Sequence, residues 1–202
     1  MSKHADLPRA GVALLCLWLA LALPPVRGWL ESSMVLHMLV QLPLLAFIGF
    51  VIGRAFAPAG PGGGTNRIVA CIQSYNAGGL TGLLIAAFTM VLWMLPRCLD
   101  LARLDIAVDA IKFITVPAAG LAIAWSWPRV PVIARAVVHL EAIATLFRFG
   151  WGYLAAEERL CLVYLAGDQQ RTGEILLWLG VVYAIAIAWR PMFGRVMQES
   201  RV

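Results

Sequence analysis

The 202-residue chain is 61% hydrophobic and only 13% charged, which is far less charge than a soluble domain of this size carries on its surface. This composition excludes an ordinary soluble protein and predicts an all-α, polytopic transmembrane helical bundle. Because no polar segment is long enough to fold separately, residues 1–202 are predicted to form one transmembrane domain. The net charge of +5 comes from arginines scattered near the ends of apolar stretches, a pattern typical of contact with lipid headgroups and not of nucleic-acid binding.

Six apolar stretches are predicted to span the lipid bilayer, since about 20 helical residues cross a hydrocarbon core of roughly 30 Å. The predicted spans are 10–26, 30–56, 67–95, 106–127, 130–156 and 174–191. The first span is short and follows a basic leader, so a signal peptide is the alternative there, although Pro24-Pro25 stands where cleavage would be expected. The Gly/Pro-rich segment 57–64 is predicted to be a flexible connector after the second span.

The distribution of lysine and arginine predicts the orientation of the spans. With the N-terminus inside, the inner segments hold more Lys and Arg than the outer segments. This excess favours both termini in the cytoplasm.

Glycines four residues apart predict close packing between spans. Gly49 with Gly53 and Gly78 with Gly82 follow this spacing. Small residues let two helices approach closely in lipid.

The start of the second span carries the most informative residues of the chain. Glu31, Met34, Met38 and Gln41 share one helical face, and His37 lies at its edge. Ionisable and soft-ligand groups inside a membrane are costly and therefore indicate function. Thioethers with an imidazole are ligands that Cu(I) favours. The alternative is a packed, hydrogen-bonded His37 among methionines that only fill gaps.

Further polar residues fall on the same predicted outer side. Met94 and Asp100 lie near the end of the third span, and Asp109 and Lys112 lie three residues apart in the fourth. Lys112 is more than one turn inside the membrane and needs a partner, for which Asp109 is the candidate. An acidic mouth that attracts a cation or a basic partner is predicted to consist of Glu31, Asp100, Asp109 and Asp168.

Two cysteines and the segment before the last span complete the outer side. Cys98 and Cys161 form a candidate disulfide if that side is an oxidising periplasm, although the sequence does not give the distance between them. In the segment Asp168-Gln169-Gln170, Asp168 is a candidate cap for the last helix, as is Thr172.

These outer-side pieces, in this order, resemble the CtaG-type cytochrome c oxidase assembly proteins over roughly residues 30–190. The resemblance consists of His37-Met38 followed by Leu42-Pro43-Leu44-Leu45 and Gly49, then Trp93, Leu95-Pro96 and Asp100, then Asp168-Gln169-Gln170, Gly173 and Trp178. That family comprises polytopic inner-membrane proteins linked to the maturation of haem–copper oxidases, plausibly through copper.

The chain departs from the family at several positions where histidine would be expected. Gln41 and Met94 stand at two of them, and Asp109 and Lys112 replace a His/Glu group that opens the next helix. A site of Met34, His37, Met38 and Met94 would suit copper as Cu(I). Loss of metal binding, with the scaffold kept for a protein–protein role, fits the same departures. The resemblance also implies a membrane-protein partner, either an oxidase subunit or a copper chaperone.

Three functions follow from these observations. The first is a membrane assembly factor for a copper-dependent respiratory enzyme, and the second is a non-catalytic structural subunit of a larger complex without metal. The third is a small transporter, which needs a polar path from the outer cluster to His139 and Glu141 in the fifth span. An enzyme is not expected, because no nucleophile and base are arranged for catalysis.

Overall fold

The computed structural model describes residues 3–56, 67–158 and 160–199. Every regular element in those ranges is helical, which confirms the predicted all-α class. The predicted connector 57–64 lies outside the described residues. The chain divides into two compact units, Met1–Pro131 with Cys161–Tyr164 and Val132–Leu160 with Leu165–Val202.

The first unit contains seven of the described helices. Their bounds are α1 Lys3–Ala22, α2 Pro24–Leu30, α3 Met34–Ala55, α4 Arg67–Tyr75, α5 Leu80–Met94, α6 Pro96–Leu104 and α7 Ile106–Ser126. A short 3₁₀ turn, Trp127–Arg129, follows α7. The second unit contains α8 Val132–Ala155 and α9 Ala166–Glu199.

Three to five candidate membrane spans lie among the described helices. Met34–Ala55, Ile106–Arg129 and Gly167–Trp189 are each long and apolar enough to cross a bilayer. Two bent pairs qualify if each pair forms one span: Ala13–Ala22 with Pro24–Leu30, and Leu80–Met94 with Pro96–Leu104, both bent by 72°. The protein is therefore a multi-pass helical membrane protein by length and composition.

The predicted third span, 67–95, is wrong as a continuous helix. α4 ends at Tyr75 and α5 begins at Leu80. Gly79 has φ = +75°, a conformation that side chains with a Cβ rarely adopt. The Asn76 amide holds the turn, because its Oδ1 accepts from the Gly82 N–H at 3.0 Å and its Nδ2 donates to Ser126 Oγ at 2.9 Å.

The predicted first span also ends too late. α1 ends at Ala22, and α2 begins at Pro24. Proline is favoured in the first turn of a helix, where its missing N–H needs no partner, but inside a helix it breaks the hydrogen-bond ladder. Pro24-Pro25 therefore starts a new helix and does not continue the old one.

Glycines bring α3 and α7 into close contact. A Cβ at Gly49 would collide with the backbone carbonyl of Pro117, and one at Gly120 would collide with the carbonyl of Ala46. A Cβ at Gly53 would lie 2.8 Å from that of Ala124. These contacts confirm the packing predicted for Gly49 and Gly53, and they set the spacing of the two helices that carry the site.

α3 begins with an unusual turn that shapes the site. Residues His37–Gln41 form a π-helix, in which the Leu42 N–H donates to the His37 carbonyl, five residues earlier. Pro43 explains this turn, because its ring would crowd the carbonyl of Leu39 in a regular α-helix and its nitrogen has no hydrogen to donate. The widened turn buries His37, Met38 and Gln41 together.

Candidate functional site

The centre of the candidate site is the ammonium group of Lys112, which is fully buried on α7. Nζ lies 2.6 Å from Glu31 Oε1 and 2.7 Å from Asp109 Oδ1. It also lies 3.0 Å from His37 Nε2 and 3.4 Å from Gln41 Oε1. A buried charge is tolerated only where it is paired and hydrogen-bonded. Three hydrogen-bond acceptors, on Glu31, His37 and Gln41, and the charge of Asp109 satisfy that requirement, and the predicted Asp109–Lys112 ion pair is confirmed.

Two arginines complete the charge balance around this ammonium. Arg27 Nη1 lies 2.8 Å from Asp109 Oδ2, and Arg27 Nε lies 3.8 Å from Glu31 Oε2. Arg103 Nη1 lies 3.6 Å from the same Glu31 oxygen. Glu31 and Asp109 are buried, whereas the arginine side chains are 31% and 28% exposed. These two acids are therefore buried and ion-paired, instead of lining an open acidic mouth.

His37 is fully buried and uses both ring nitrogens. Nδ1 lies 2.5 Å from the Tyr164 hydroxyl, and Nε2 faces the Lys112 ammonium. Because an ammonium only donates, Nε2 must accept, and a neutral imidazole then carries its hydrogen on Nδ1 and donates it to the tyrosine oxygen. The structure thus contains the packed, hydrogen-bonded histidine that the sequence offered as an alternative.

The candidate copper ligands differ in their surroundings. Met34 and Met38 are buried next to His37 on α3, and Met94 is half-buried at the end of α5. Within the described ranges, no three His, Cys, Asp or Glu side chains are arranged to hold a metal ion. Copper at His37 would have to displace either the Tyr164 hydroxyl or the Lys112 ammonium from the ring. The Met/His copper set therefore stays a prediction.

A short non-helical segment, Cys161–Tyr164, contacts this cluster through the Tyr164 hydroxyl on His37, and we call it the strap. The Leu162 N–H donates to Asp100 Oδ2 at 2.8 Å, and the Cys161 thiol contacts the Pro96 carbonyl oxygen at 3.8 Å. The other Asp100 oxygen, Oδ1, is buried without a hydrogen-bond partner among the described residues. Asp100 therefore anchors the strap through one oxygen only.

The strap carries two groups that are held uncharged. Burial raises the pKa of the Cys161 thiol to about 12, with a smaller contribution from the negative charge of Asp100. Burial also raises the pKa of Tyr164, which Arg103 opposes. Cys98 and Cys161 are both free thiols in this structure, so it contains no bond between them.

The segment Asp168-Gln169-Gln170 belongs to the second unit. Gln169 is buried and joins two parts of that unit: Oε1 accepts from the Leu160 N–H at 2.9 Å and Nε2 donates to the Tyr153 carbonyl at 3.1 Å. Because α9 begins at Ala166, Asp168 lies in its first turn, which suits the helix dipole. Thr172 lies inside the helix, and its hydroxyl donates to the Asp168 carbonyl instead of capping. Gln170 is exposed.

The fifth predicted span also shows paired polar groups. His139 Nδ1 lies 2.7 Å from the Tyr183 hydroxyl, and Arg148 forms an ion pair with Glu141. Both members of that ion pair are 62% exposed in the second unit. Exposed pairs of this kind contribute little to stability.

Three residues of the cluster were missed by sequence reasoning. Arg27 stands four residues before Glu31, so helical spacing could have indicated it. Arg103 and Tyr164 carried no such signal, because they reach the site from α6 and from the strap.

The chain matches no protein-family model, no curated protein and no solved structure.

Proposed function

We propose that this protein is a membrane assembly factor for a copper-dependent respiratory enzyme of the haem–copper oxidase type, and that its Lys112 cluster works without a metal. The observation that carries the metal-free part is the Lys112 ammonium, enclosed by Glu31, Asp109, His37 and Gln41 at 2.6 to 3.4 Å. The assembly role is supported by the resemblance in sequence.

The Lys112 ammonium balances the buried carboxylates of Glu31 and Asp109. Here the chain supplies its own positive charge, which joins α3 and α7 to the turn that carries Glu31. Such a cluster suits a scaffold that presents a stable surface to another membrane protein.

We further propose that the protein lies in a bacterial inner membrane with six spans and both termini in the cytoplasm. The excess of Lys and Arg in the inner segments supports this orientation. The end of the bundle that holds the Lys112 cluster then faces the periplasm, where an oxidase subunit or a copper chaperone can bind.

Cu(I) handling is the second candidate, and the two buried methionines favour it. Met34 and Met38 lie four residues apart on α3, with His37 between them, and both are buried. Thioether sulfur is a soft ligand that selects Cu(I).

A gene deletion in the organism that encodes the protein tests the proposed role. Membranes of the deletion strain should show lower oxidation of reduced cytochrome c per haem than membranes of the parent strain. The wild-type gene should restore the activity. Unchanged oxidase activity in the deletion strain would refute the assembly role.

One matched variant separates the two candidates. Replacing Met34 and Met38 by leucine keeps their apolar volume but removes both sulfurs, a change that cores tolerate well. If the site works without metal, this double variant should restore oxidase activity as the wild type does, and purified wild-type protein should not compete with a Cu(I) chelator. Tight Cu(I) binding that is lost in the double variant would instead establish copper handling.

A further inference from the structure

We propose that the strap, Cys161–Tyr164, is a gate over His37, which exposes the Lys112 cluster to solvent when it opens. In the closed state the Tyr164 ring is buried and its hydroxyl meets His37 Nδ1 at 2.5 Å. The strap is the part of the chain that reaches this nitrogen. Opening it would free the one edge of the imidazole that does not face Lys112.

The strap is held closed mainly through side chains. Its anchors are the Tyr164 hydroxyl on His37, the Leu162 N–H on Asp100 and the Cys161 thiol on the Pro96 carbonyl. Among the described residues, no backbone-to-backbone hydrogen bond ties it to a helix of the first unit. A segment with so few hydrogen bonds belongs to the part of a protein that opens at low cost.

The apolar contacts of the strap are also limited. Cys161 and Tyr164 are buried, but Leu162 between them is 81% exposed. Lifting the strap therefore withdraws only two buried strap side chains, those of Cys161 and Tyr164, from the first unit.

Asp100 makes the closed state less favourable than its contacts suggest. Its Oδ2 accepts the Leu162 N–H, while Oδ1 is buried with no hydrogen-bond partner among the described residues. A buried acceptor without a partner is destabilising, and water would satisfy it once the strap lifts. This gain offsets part of the bond that opening breaks, so the gate can move in both directions.

Labelling of Cys161 measures the opening of the strap. In a background with Cys16, Cys71 and Cys98 changed to serine, the purified full chain in detergent is reacted with N-ethylmaleimide at pH 8. Asp100→Ala and Asp100→Asn both remove the negative charge that raises the pKa of Cys161, but only Asp100→Ala also removes the anchor for the Leu162 N–H, so it should label about tenfold faster than Asp100→Asn. Asp100→Asn keeps an acceptor for that N–H.

Asp100→Asn controls for the lost charge next to Cys161, and Asp105→Asn controls for the loss of a carboxylate that does not contact the strap. Asp105 lies near the same end of α6, but its Oδ1 accepts from the Ala107 N–H and caps α7. Asparagine retains that cap, so the labelling rate should not change.

Modification of histidine by diethylpyrocarbonate shows whether the strap covers His37. His37 modification should rise about tenfold in Asp100→Ala, in step with Cys161 labelling, while His139 modification stays constant. The gate is refuted if Asp100→Ala labels Cys161 no faster than Asp100→Asn, or if labelling rises while His37 stays protected. If Asp100→Ala does not fold, Cys161 labelling and His37 modification are measured in Asp100→Asn instead. A parallel rise in these two rates remains the required result.

Discussion

Replacement of Lys112 by methionine removes the central charge of the cluster while nearly keeping the volume of the side chain. In the variant, Glu31 and Asp109 remain buried, with only Arg27 and Arg103 to balance them. Two of the remaining contacts, at 3.6 and 3.8 Å, are longer than hydrogen bonds. His37 Nε2 and Gln41 Oε1 also lose their shared donor.

The expected loss of stability follows from these contacts. Breaking a buried ion pair by removing one partner costs about 3–5 kcal/mol. For a chain of this size about 1 kcal/mol shifts the melting temperature by roughly 2–4 °C, so the variant should melt about 6–20 °C below the wild type. Tryptophan fluorescence during heating in detergent measures this shift.

Arg148→Gln is the control for the loss of a positive charge. It breaks the exposed ion pair with Glu141 in the second unit and should change stability by about 1 kcal/mol or less. A Lys112→Met variant that melts within 2 °C of the wild type would refute the idea that the ammonium holds the cluster together.

Three further predictions concern packing, the strap and pH. Gly49→Ala places a methyl group against the Pro117 carbonyl and should lower the free energy of unfolding by about 1–3 kcal/mol. Gly152→Ala is the control, because a Cβ there meets nothing within 4 Å, and it should leave stability unchanged. Thermal melting of both variants tests this. Tyr164→Phe leaves the buried His37 Nδ1 without its partner and should lower the free energy of unfolding by about 1–3 kcal/mol. Tyr183→Phe, at the half-buried His139 pair, should lower it less. Equal shifts in melting temperature would contradict the assigned His37–Tyr164 hydrogen bond. The raised pKa of Cys161 means that the folded state favours the neutral thiol. The stabilisation of the fold by this thiol is therefore complete below its ordinary pKa near 9 and is lost as pH rises towards about 12. Denaturant titrations should therefore show falling stability over that range, with a smaller fall in Cys161→Ala, and identical pH profiles for the two proteins would refute it.

Local spacing in the sequence predicted several contacts of the structure. Asp109 and Lys112 lie three residues apart on one helix, which brings their side chains together wherever the helix packs. Gly49 and Gly53 likewise form a surface without side chains, and the close approach of α7 follows from it. Gly78 has the same spacing to Gly82 but packs against nothing, because the turn after Asn76 removes it from the helix.

The charge balance of the cluster depends on distant parts of the chain. Tyr164 lies 127 residues from His37 in sequence, and no periodic pattern connects them. On sequence alone, Glu31 and Asp109 are assigned to an open acidic mouth. That prediction follows only because it does not place Arg27 and Arg103 beside them. The predicted span 30–56 runs through Pro43 and does not include the π-helix His37–Gln41 that precedes it.

A double-mutant cycle between Lys112 and Glu31 tests the central claim most directly. The unfolding free energies of Lys112→Met, Glu31→Gln and the double variant are compared with that of the wild type. If the ammonium and the carboxylate at 2.6 Å form the core of the cluster, the coupling energy should reach about 1.5 kcal/mol or more. Effects that add within about 0.5 kcal/mol would mean that the two residues act independently, and the cluster described here would not hold the helices together.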